Sequence, residues 1–460
     1  MSSNTNTPHA FIERPRFFCS FGGALSTLEA LPDTIPVLHA ASGCAGSVAW
    51  SQSAGGLQVG GYCGGLAVPS SNVGEREVIF GGAARLEEQL RRTLEIMDGT
   101  LFVAVTSCVT EMIGDDIAAV IAEIAGEAPA GKQVVFAKTG GFKGNSYDGY
   151  AIVLEALIQQ FVQKPPGPAS GGKASKSKKA AKTVNLLGIA PYMDAFWRGN
   201  IEGVRKLLEG LGVQVNSFFT VHDSLDTLRY SGGADLTLVV SDCYGIEAAK
   251  AYETRFAIPW IASPLPIGPT ASAELLRSVA GALDLKVDVE AHIRKEQARF
   301  YRYLEPMTDA YYDFDLQRYA VIVADANYAL GVSRFLYDDL GWLPAYVQFT
   351  ELLSGKQQEE LARKIPGNPL VVFDTNASSA RERLLERYPP PKAGEYADTL
   401  APAFVIGSSL ERDLALKLGA PHLSLSFPVS NRAVLNRGYT GFSGGLTLAE
   451  DLISAIAAGR

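Results

Sequence analysis

Short apolar runs rich in β-branched residues alternate along this chain with stretches whose apolar residues recur every three or four positions. That alternation restricts the fold more than any other feature. Strand patterns lie at Leu101–Val105, Gln133–Ala137, Val184–Ile189, Leu236–Val240, Tyr319–Ala324, Leu370–Phe373 and Ala403–Ile406. Most are followed by Gly, Ser, Thr or Asp and then by a helix; Gly407-Ser408-Ser409 is one such helix opening. Helical spacing marks Glu87–Met97, Ile201–Leu211, Ala273–Leu283, Leu330–Leu340 and Ser354–Lys364. Repeated strand–helix units of this length form parallel sheets with right-handed crossovers. The 460 residues allow two to four domains, and the pattern predicts an α/β protein of three doubly wound, Rossmann-like domains.

One segment departs from the rest. Gln163 to Thr183 holds six Lys, three Pro, no acid and no large apolar residue, which predicts a solvated connector. It divides the chain into an N-terminal α/β domain at 1–162, a linker at 163–183, a second α/β domain at 184–310 and a third at 311–460. The net charge of −8 becomes −14 on the remainder once those six lysines are set aside. No broad cationic face is left for nucleic acid. There is no apolar run of ~18 residues, and Met1 to His9 is polar, so neither a membrane span nor a secretory leader is expected and the location is expected to be cytoplasmic. Nucleotide signatures are missing as well. Gly126 to Lys132 has the length of a P-loop, but Gln133 replaces the Ser or Thr and the segment precedes a strand, so it reads as a turn. Gly22-Gly23, Gly55-Gly56, Gly64-Gly65 and Gly81-Gly82 do not make a G-x-G-x-x-G fingerprint.

Five cysteines in a chain of this kind need an explanation other than disulfides. Cys19 precedes Ser-Phe-Gly-Gly, Cys44 sits in Ser42-Gly43-Cys44-Ala45-Gly46, and Cys108 follows the Leu101–Val105 strand through Thr106-Ser107. Thiolates are natural iron ligands, and an iron–sulfur cluster needs small neighbours so that backbone can approach it. Packed core thiols are the competing reading, and no C-x-x-C is present to decide between them. Three cysteines leave a four-iron cluster short of ligands, which points to a site shared between subunits; Cys63, in GGYCGGL, is the other cysteine nearby.

Cys19, HAASGCAG around Cys44, EVIFGG at Glu77–Gly82 and TSCVTEMIGDD containing Cys108 occur in one order. That order resembles the β-type subunit of the nitrogenase component 1 superfamily. SPLPIG at Ser263–Gly268, the segment Ala324–Leu340 and Phe427–Gly445 are similar to its later elements. The resemblance implies that Cys19, Cys44 and Cys108 supply half of a P-type, 8Fe-7S iron–sulfur cluster shared with an α-type catalytic subunit. The implied assembly is an α2β2 heterotetramer fed with electrons by an ATP-dependent, Fe-protein-like reductase homodimer.

Within that family the third cysteine separates a redox subunit from the β-like cofactor-assembly scaffold, which typically lacks it. Cys243, in Ser241-Asp242-Cys243-Tyr244, superficially resembles the cofactor-binding Cys of α-type subunits, with His422 as a conceivable partner; SPLPIG and FPVSNR favour the β type and make Cys243 a structural thiol. Other features depart from dinitrogen-reducing enzymes. Cys19 is followed by Ser-Phe-Gly-Gly, and Gly141, in Thr139–Asn145, replaces a serine that can ligate the oxidised cluster. These departures imply a nitrogenase-like reductase of the methylthio-alkane reductase type, which cleaves C–S bonds of small methyl thioethers for sulfur salvage. A dinitrogen-reducing, alternative-metal β subunit, an assembly scaffold and a cluster-free binding protein remain the alternatives. Of the remaining polar residues, Glu111, Asp115 and Asp116 read as helix-start carboxylates ahead of a metal site. His39, in the turn leading to Gly43, reads as a structural histidine. Met112 and Ile113 read equally as core or as a reductase-facing surface, and Arg437 and Tyr439 are expected to tie the C-terminal segment to a subunit interface.

Overall fold

The computed structural model describes residues 16–44, 68–166, 181–307, 309, 319–389 and 404–458. Cys63 and most of the Lys-rich connector lie outside them. The chain forms three parallel sheets. The first has strands β1 (Thr34–His39), β2 (Leu101–Thr106) and β3 (Gln133–Ala137) in the order β1-β2-β3. The second has β4 (Thr183–Leu187), β5 (Gln214–Asn216), β6 (Leu236–Val239) and β7 (Trp260–Ala262) in the order β5-β4-β6-β7. The third has β8 (Tyr319–Ala324), β9 (Leu343–Phe349), β10 (Leu370–Phe373), β11 (Phe404–Gly407) and β12 (His422–Ser424) in the order β10-β9-β8-β11-β12. The expected three-sheet α/β fold is therefore the fold observed.

In the second and third sheets the strand order reverses beside the first strand, between β4 and β6 and between β8 and β11. Crevices at such reversals open at the carboxyl ends of the strands. Burial on both faces explains why the strands read as unbroken apolar runs. All six residues of β2 are buried. Leu101, Val103 and Val105 join a core that continues through Val184, Leu238, Ile322 and Phe349 of the other sheets. Phe102 and Ala104 point the other way, onto Leu86, Leu90 and Ile121.

Several elements differ from expectation. Leu330–Leu340 is a shorter helix, Ala326–Arg334, capped by Asp325 and followed by a wider π-turn at Phe335–Asp339. The Val-Ile-Phe-Gly-Gly segment closes one helix, Glu75–Phe80, before Gly82 opens the next, Ala83–Ile96. Helix Ser20–Ala30 was not signalled at all by the sequence. It is buried over Ser20–Leu28, so it shows no apolar stripe. It packs backbone against backbone on helix Ser146–Gln160: a methyl added at Gly23 would lie 2.0 Å from the Ser146 carbonyl oxygen, and one at Gly149 2.0 Å from that of Ser20. The Gly22-Gly23 pair thus serves close helix packing.

The C-terminal segment is tied within the chain. Tyr439 is fully buried and donates to Asp451 Oδ2 at 2.6 Å, Arg432 reaches both Asp451 (2.7 Å) and Tyr439 (2.8 Å), and Arg437 pairs with Asp451. These bonds fix the start of helix Gly441–Ala458. Among the described residues, no helix is long and apolar enough to cross a membrane.

Candidate functional site

The loops that leave the carboxyl ends of β1, β2 and β3 carry the candidate residues, as doubly wound sheets require. Cys44 lies five residues beyond the end of β1, Cys108 two beyond the end of β2, and Gly141 four beyond the end of β3. Cys19 reaches the same place from the N-terminal side as the N-cap of helix Ser20–Ala30. A bridge to Asn145, a Ser20 N–H bond to the Gly144 carbonyl (3.0 Å) and a Ser20 Oγ bond to the Gly140 carbonyl (2.9 Å) hold it against the loop after β3.

Gly141 shows how closely these parts converge. A Cβ built there would lie 3.1 Å from Cys108 Sγ and 3.2 Å from Cys19 Sγ, so both sulfurs border one point on its backbone. Cys44 is near enough to feel the other two. Burial pushes its thiol pKa up, and electrostatic interaction with Cys19 and Cys108 adds to the rise. Cys19 is exposed, and Cys44 and Cys108 are half-buried.

Residues around the thiols are locked by hydrogen bonds. Glu111 Oε1 accepts from Thr106 Oγ1 (2.6 Å) and from the Gly140 N–H (2.7 Å), while Oε2 pairs with Lys143 at 2.8 Å. Burial alone would raise its pKa, but the Lys143, Thr106 and Gly140 bonds outweigh that and hold it below the usual carboxylate value. Glu111 therefore clamps the Cys108 helix to the Gly141 turn. Thr139 adds a second clamp, donating to the Thr106 carbonyl at 2.8 Å. These hydroxyls were missed in the sequence because a Thr at a strand end looks like any other β-branched residue.

His39 is the last residue of β1, not part of a turn. It is buried between Ser71 Oγ (3.0 Å from Nδ1) and Asp115 Oδ2 (2.9 Å from Nε2). Burial lowers its pKa, and the Asp115 bond only partly offsets this. Asp115 also accepts the Gly82 N–H at 2.8 Å, which ties the junction between the Glu75–Phe80 and Ala83–Ile96 helices to this edge; the helix cap at this point is Asp116, which accepts the Ala119 N–H at 3.1 Å. Glu111, Asp115 and Asp116 thus have separate sets of partners. Met112 is 78% exposed and is not core; Ile113 is half-buried.

Cys243 stands apart, at the carboxyl end of β6, where burial pushes its thiol pKa far up. His422 lies in β12 with Nε2 3.0 Å from the Ser408 carbonyl. Among the described residues, no group of three or more His, Cys, Asp or Glu is placed to hold a single metal ion. Cys19 and Cys108 instead offer soft donors beside a glycine cradle that a side chain would fill, with Cys44 as a third thiol in their electrostatic reach, an arrangement suited to a larger thiolate-ligated body.

Fold and site together define a doubly wound three-sheet α/β protein with a thiol-lined carboxyl edge. Residues 19–457 match the family model of nitrogenase component 1 type oxidoreductases, and the chain belongs to that family. It is 24% identical to the nitrogenase molybdenum-iron protein alpha chain of Methanococcus maripaludis, over 98% of this chain and 88% of that one. It is 25% identical to the nitrogenase molybdenum-iron protein beta chain of Sinorhizobium fredii (strain NBRC 101917 / NGR234), over 97% of this chain and 84% of that one. A solved structure titled "Nitrogenase Cp1 at pH 6.5" superposes with a TM-score of 0.77 at 18% identity, over 98% of this chain and 94% of that one, which shows the shared fold.

Proposed function

We propose that this chain is the β-type subunit of a nitrogenase-like two-component reductase. In this reading Cys19, Cys44 and Cys108 provide half of a P-type (8Fe-7S) iron–sulfur cluster, and an α-type catalytic subunit supplies the rest within an α2β2 heterotetramer. The observation that carries the reading is the convergence of Cys19 and Cys108 on Gly141, with Cys44 close enough to sense both charges. The cluster would supply electron transfer. This chain's part is to hold it: the Glu111 and Thr139 clamps fix the Cys108 and Gly141 turns, the glycine contact seats helix Ser20–Ala30, and the absence of a Gly141 side chain leaves room beside two sulfurs.

Electrons would arrive from an ATP-dependent, Fe-protein-like reductase homodimer and leave to the α subunit's metal cofactor. The overall reaction we favour is reductive C–S cleavage of a small methyl thioether, R–S–CH3 + 2 e⁻ + 2 H⁺ → R–H + CH3SH. Gly141 in place of a ligating serine supports a reductase distinct from dinitrogen-reducing enzymes. The domain limits that fit this reading are 1–162, 184–310 and 311–460 around a 163–183 linker, in a cytoplasmic protein.

Anaerobic co-expression with the α-type partner tests the reading. The complex is expected to be brown, to contain acid-labile sulfide, and to release a thiol from a methyl thioether when the reductase and ATP are added. Cys44→Ala and Cys108→Ala are each expected to remove most of the iron attributable to this cluster. Full iron content in both variants would overturn the cysteine assignment. Dinitrogen reduction without thioether cleavage would overturn the substrate.

A further inference from the structure

We propose that the cleft between the carboxyl edges of the second and third sheets binds an aliphatic amine, whose ammonium group donates to Glu351. The cleft has a volume of about 500 Å³, within the range of small-molecule sites. It opens where Asp242 and Cys243 follow β6 and where Glu351 follows β9, the crevice position of doubly wound sheets. The edges are joined beside it: Asn327 Nδ2 donates to the Gly188 carbonyl (3.0 Å) and the Ala326 N–H reaches the Tyr244 hydroxyl (3.2 Å), while within the third sheet the same N–H donates to Glu351 Oε1 (2.9 Å).

Glu351 is only 4% exposed, and its second oxygen, Oε2, has no hydrogen-bond partner. Asp242 Oδ2 is likewise buried without a partner in the same wall. An unmatched buried acceptor costs about 1–3 kcal/mol, which a donor on a ligand recovers. The lining selects the donor's charge. Its acidic members are Asp148, Asp242, Glu247, Glu351 and Glu360, against Lys250 and Lys356. Lys250 is already paired with Glu247 at 2.7 Å, and Lys364 with Asp242 at 2.9 Å. An anion is therefore disfavoured. Leu352, Leu353 and the Tyr147–Tyr244 stack (centroids 4.0 Å apart) give the walls apolar area for a hydrocarbon stem. A metal ion is not the occupant that these groups select, since they form no three-ligand cluster.

The groups that interact with Glu351 from the surrounding elements are Tyr147 of helix Ser146–Gln160 and Cys243 after β6, both of which also feel Asp325 at the end of β8, with the Asp242–Lys364 pair beside Cys243. Burial raises the Glu351 pKa to about 8. Below that pH the carboxyl group carries a proton that an arriving ammonium displaces. Binding should then release about one proton, and apparent affinity should rise about tenfold per pH unit up to near 8 and level off above it.

This inference is independent of the cluster and is read by binding alone. Isothermal titration calorimetry of the anaerobic complex with 1,5-diaminopentane, at pH 6, 7 and 8 in two buffers of different ionisation enthalpy, is expected to show binding with proton release at pH 6 and 7. Pentan-1-ol and pentanoate are expected not to bind. Glu351→Gln keeps an acceptor for the Ala326 N–H, and it is expected to abolish the proton release and weaken binding about tenfold or more. No diamine binding to the wild type, binding without proton release, or an unchanged pH profile in Glu351→Gln would each overturn the proposal.

Discussion

Gly141 has no side chain, and the two sulfurs beside it stand where a Cβ would make contacts of 3.1 and 3.2 Å. Such contacts are tight but open to relief by small shifts, so Gly141→Ser should fold and still assemble. Its hydroxyl would lie among the ligands of the proposed cluster. An alkoxide stabilises the more positively charged, oxidised state. If it contributes about 1.5–3 kcal/mol, the two-electron midpoint moves about 30–60 mV to the negative. Redox titration with electron paramagnetic resonance should show that shift and a new oxidised-state signal, with the dithionite-reduced state and the iron content unchanged. Identical oxidised spectra would mean that residue 141 does not face the cluster. At this scale the sequence was informative where a side-chain type announces its chemistry. The small-residue settings of the three cysteines could be read from their neighbours, though only the order of the motifs chose a cluster over packed core thiols, and the structural character of His39 could be read from its surroundings in the chain. The partners of Asp115 could not, because Gly82 and His39 reach it from 33 and 76 residues away. Nor could Glu351, whose burial depends on how two sheets meet.

Among the elements, two of the strands that the sequence missed have a local cause. Thr34–His39 and Leu343–Phe349 each contain a proline, which demotes a strand in any pattern-based reading. Pro36 is tolerated because β1 is an edge strand. Pro344 sits in β9, inside the third sheet, where the pairing with β8 slips between Ala320 and Val321, and that irregularity absorbs the missing N–H. The helix Ser20–Ala30 was hidden for the opposite reason, since burial all round erased its period. Its contact with helix Ser146–Gln160 is sharply testable. Alanine in place of an interior helical glycine normally stabilises by about 0.5–1 kcal/mol. A Cβ at Gly149, however, would meet the Ser20 carbonyl oxygen at 2.0 Å and the Ala24 nitrogen at 2.8 Å, and both are backbone atoms. Gly149→Ala should therefore destabilise by about 1–3 kcal/mol in urea unfolding and lower iron content, because Ser20 adjoins Cys19. Gly126→Ala, at a helix position with nothing within 4 Å, is the control and should be neutral or slightly stabilising. Equal stability of the two variants would show that the helices separate easily and that their contact does not set the position of Cys19.

For the molecule as a whole, one core spans all three sheets, yet among the described residues the thiol-bearing edge of the first sheet is only partly covered, with Cys19 exposed and Cys44 and Cys108 half-buried. Phe142, 62% exposed, borders Gly140, as Glu111 does, in the turn that holds Gly141, and Met112 follows Glu111 in the Cys108 helix. Ile79 and Phe80, 72% and 81% exposed, end the helix just before Gly82, which Asp115 ties to the same edge. Apolar groups gathered beside three thiols fit a surface that another protein covers. A shared cluster demands such cover, and an obligate interface of this kind buries on the order of 2,000 Å² or more. The chain alone should therefore expose its cysteines selectively. Alkylation with iodoacetamide at pH 8, followed by peptide mass spectrometry, should label Cys19 and Cys108 readily and Cys243 slowly, because burial holds the Cys243 thiol protonated. In complex with the α-type subunit, Cys19 and Cys108 should be protected by tenfold or more. Phe142→Glu, which places a charge in that face, should reduce co-purification of the partner about tenfold while leaving the isolated chain's unfolding midpoint unchanged, since the side chain it replaces packs little at home. Undiminished labelling of Cys19 in the complex would place the partner on another face and remove the basis for a cluster shared across this edge.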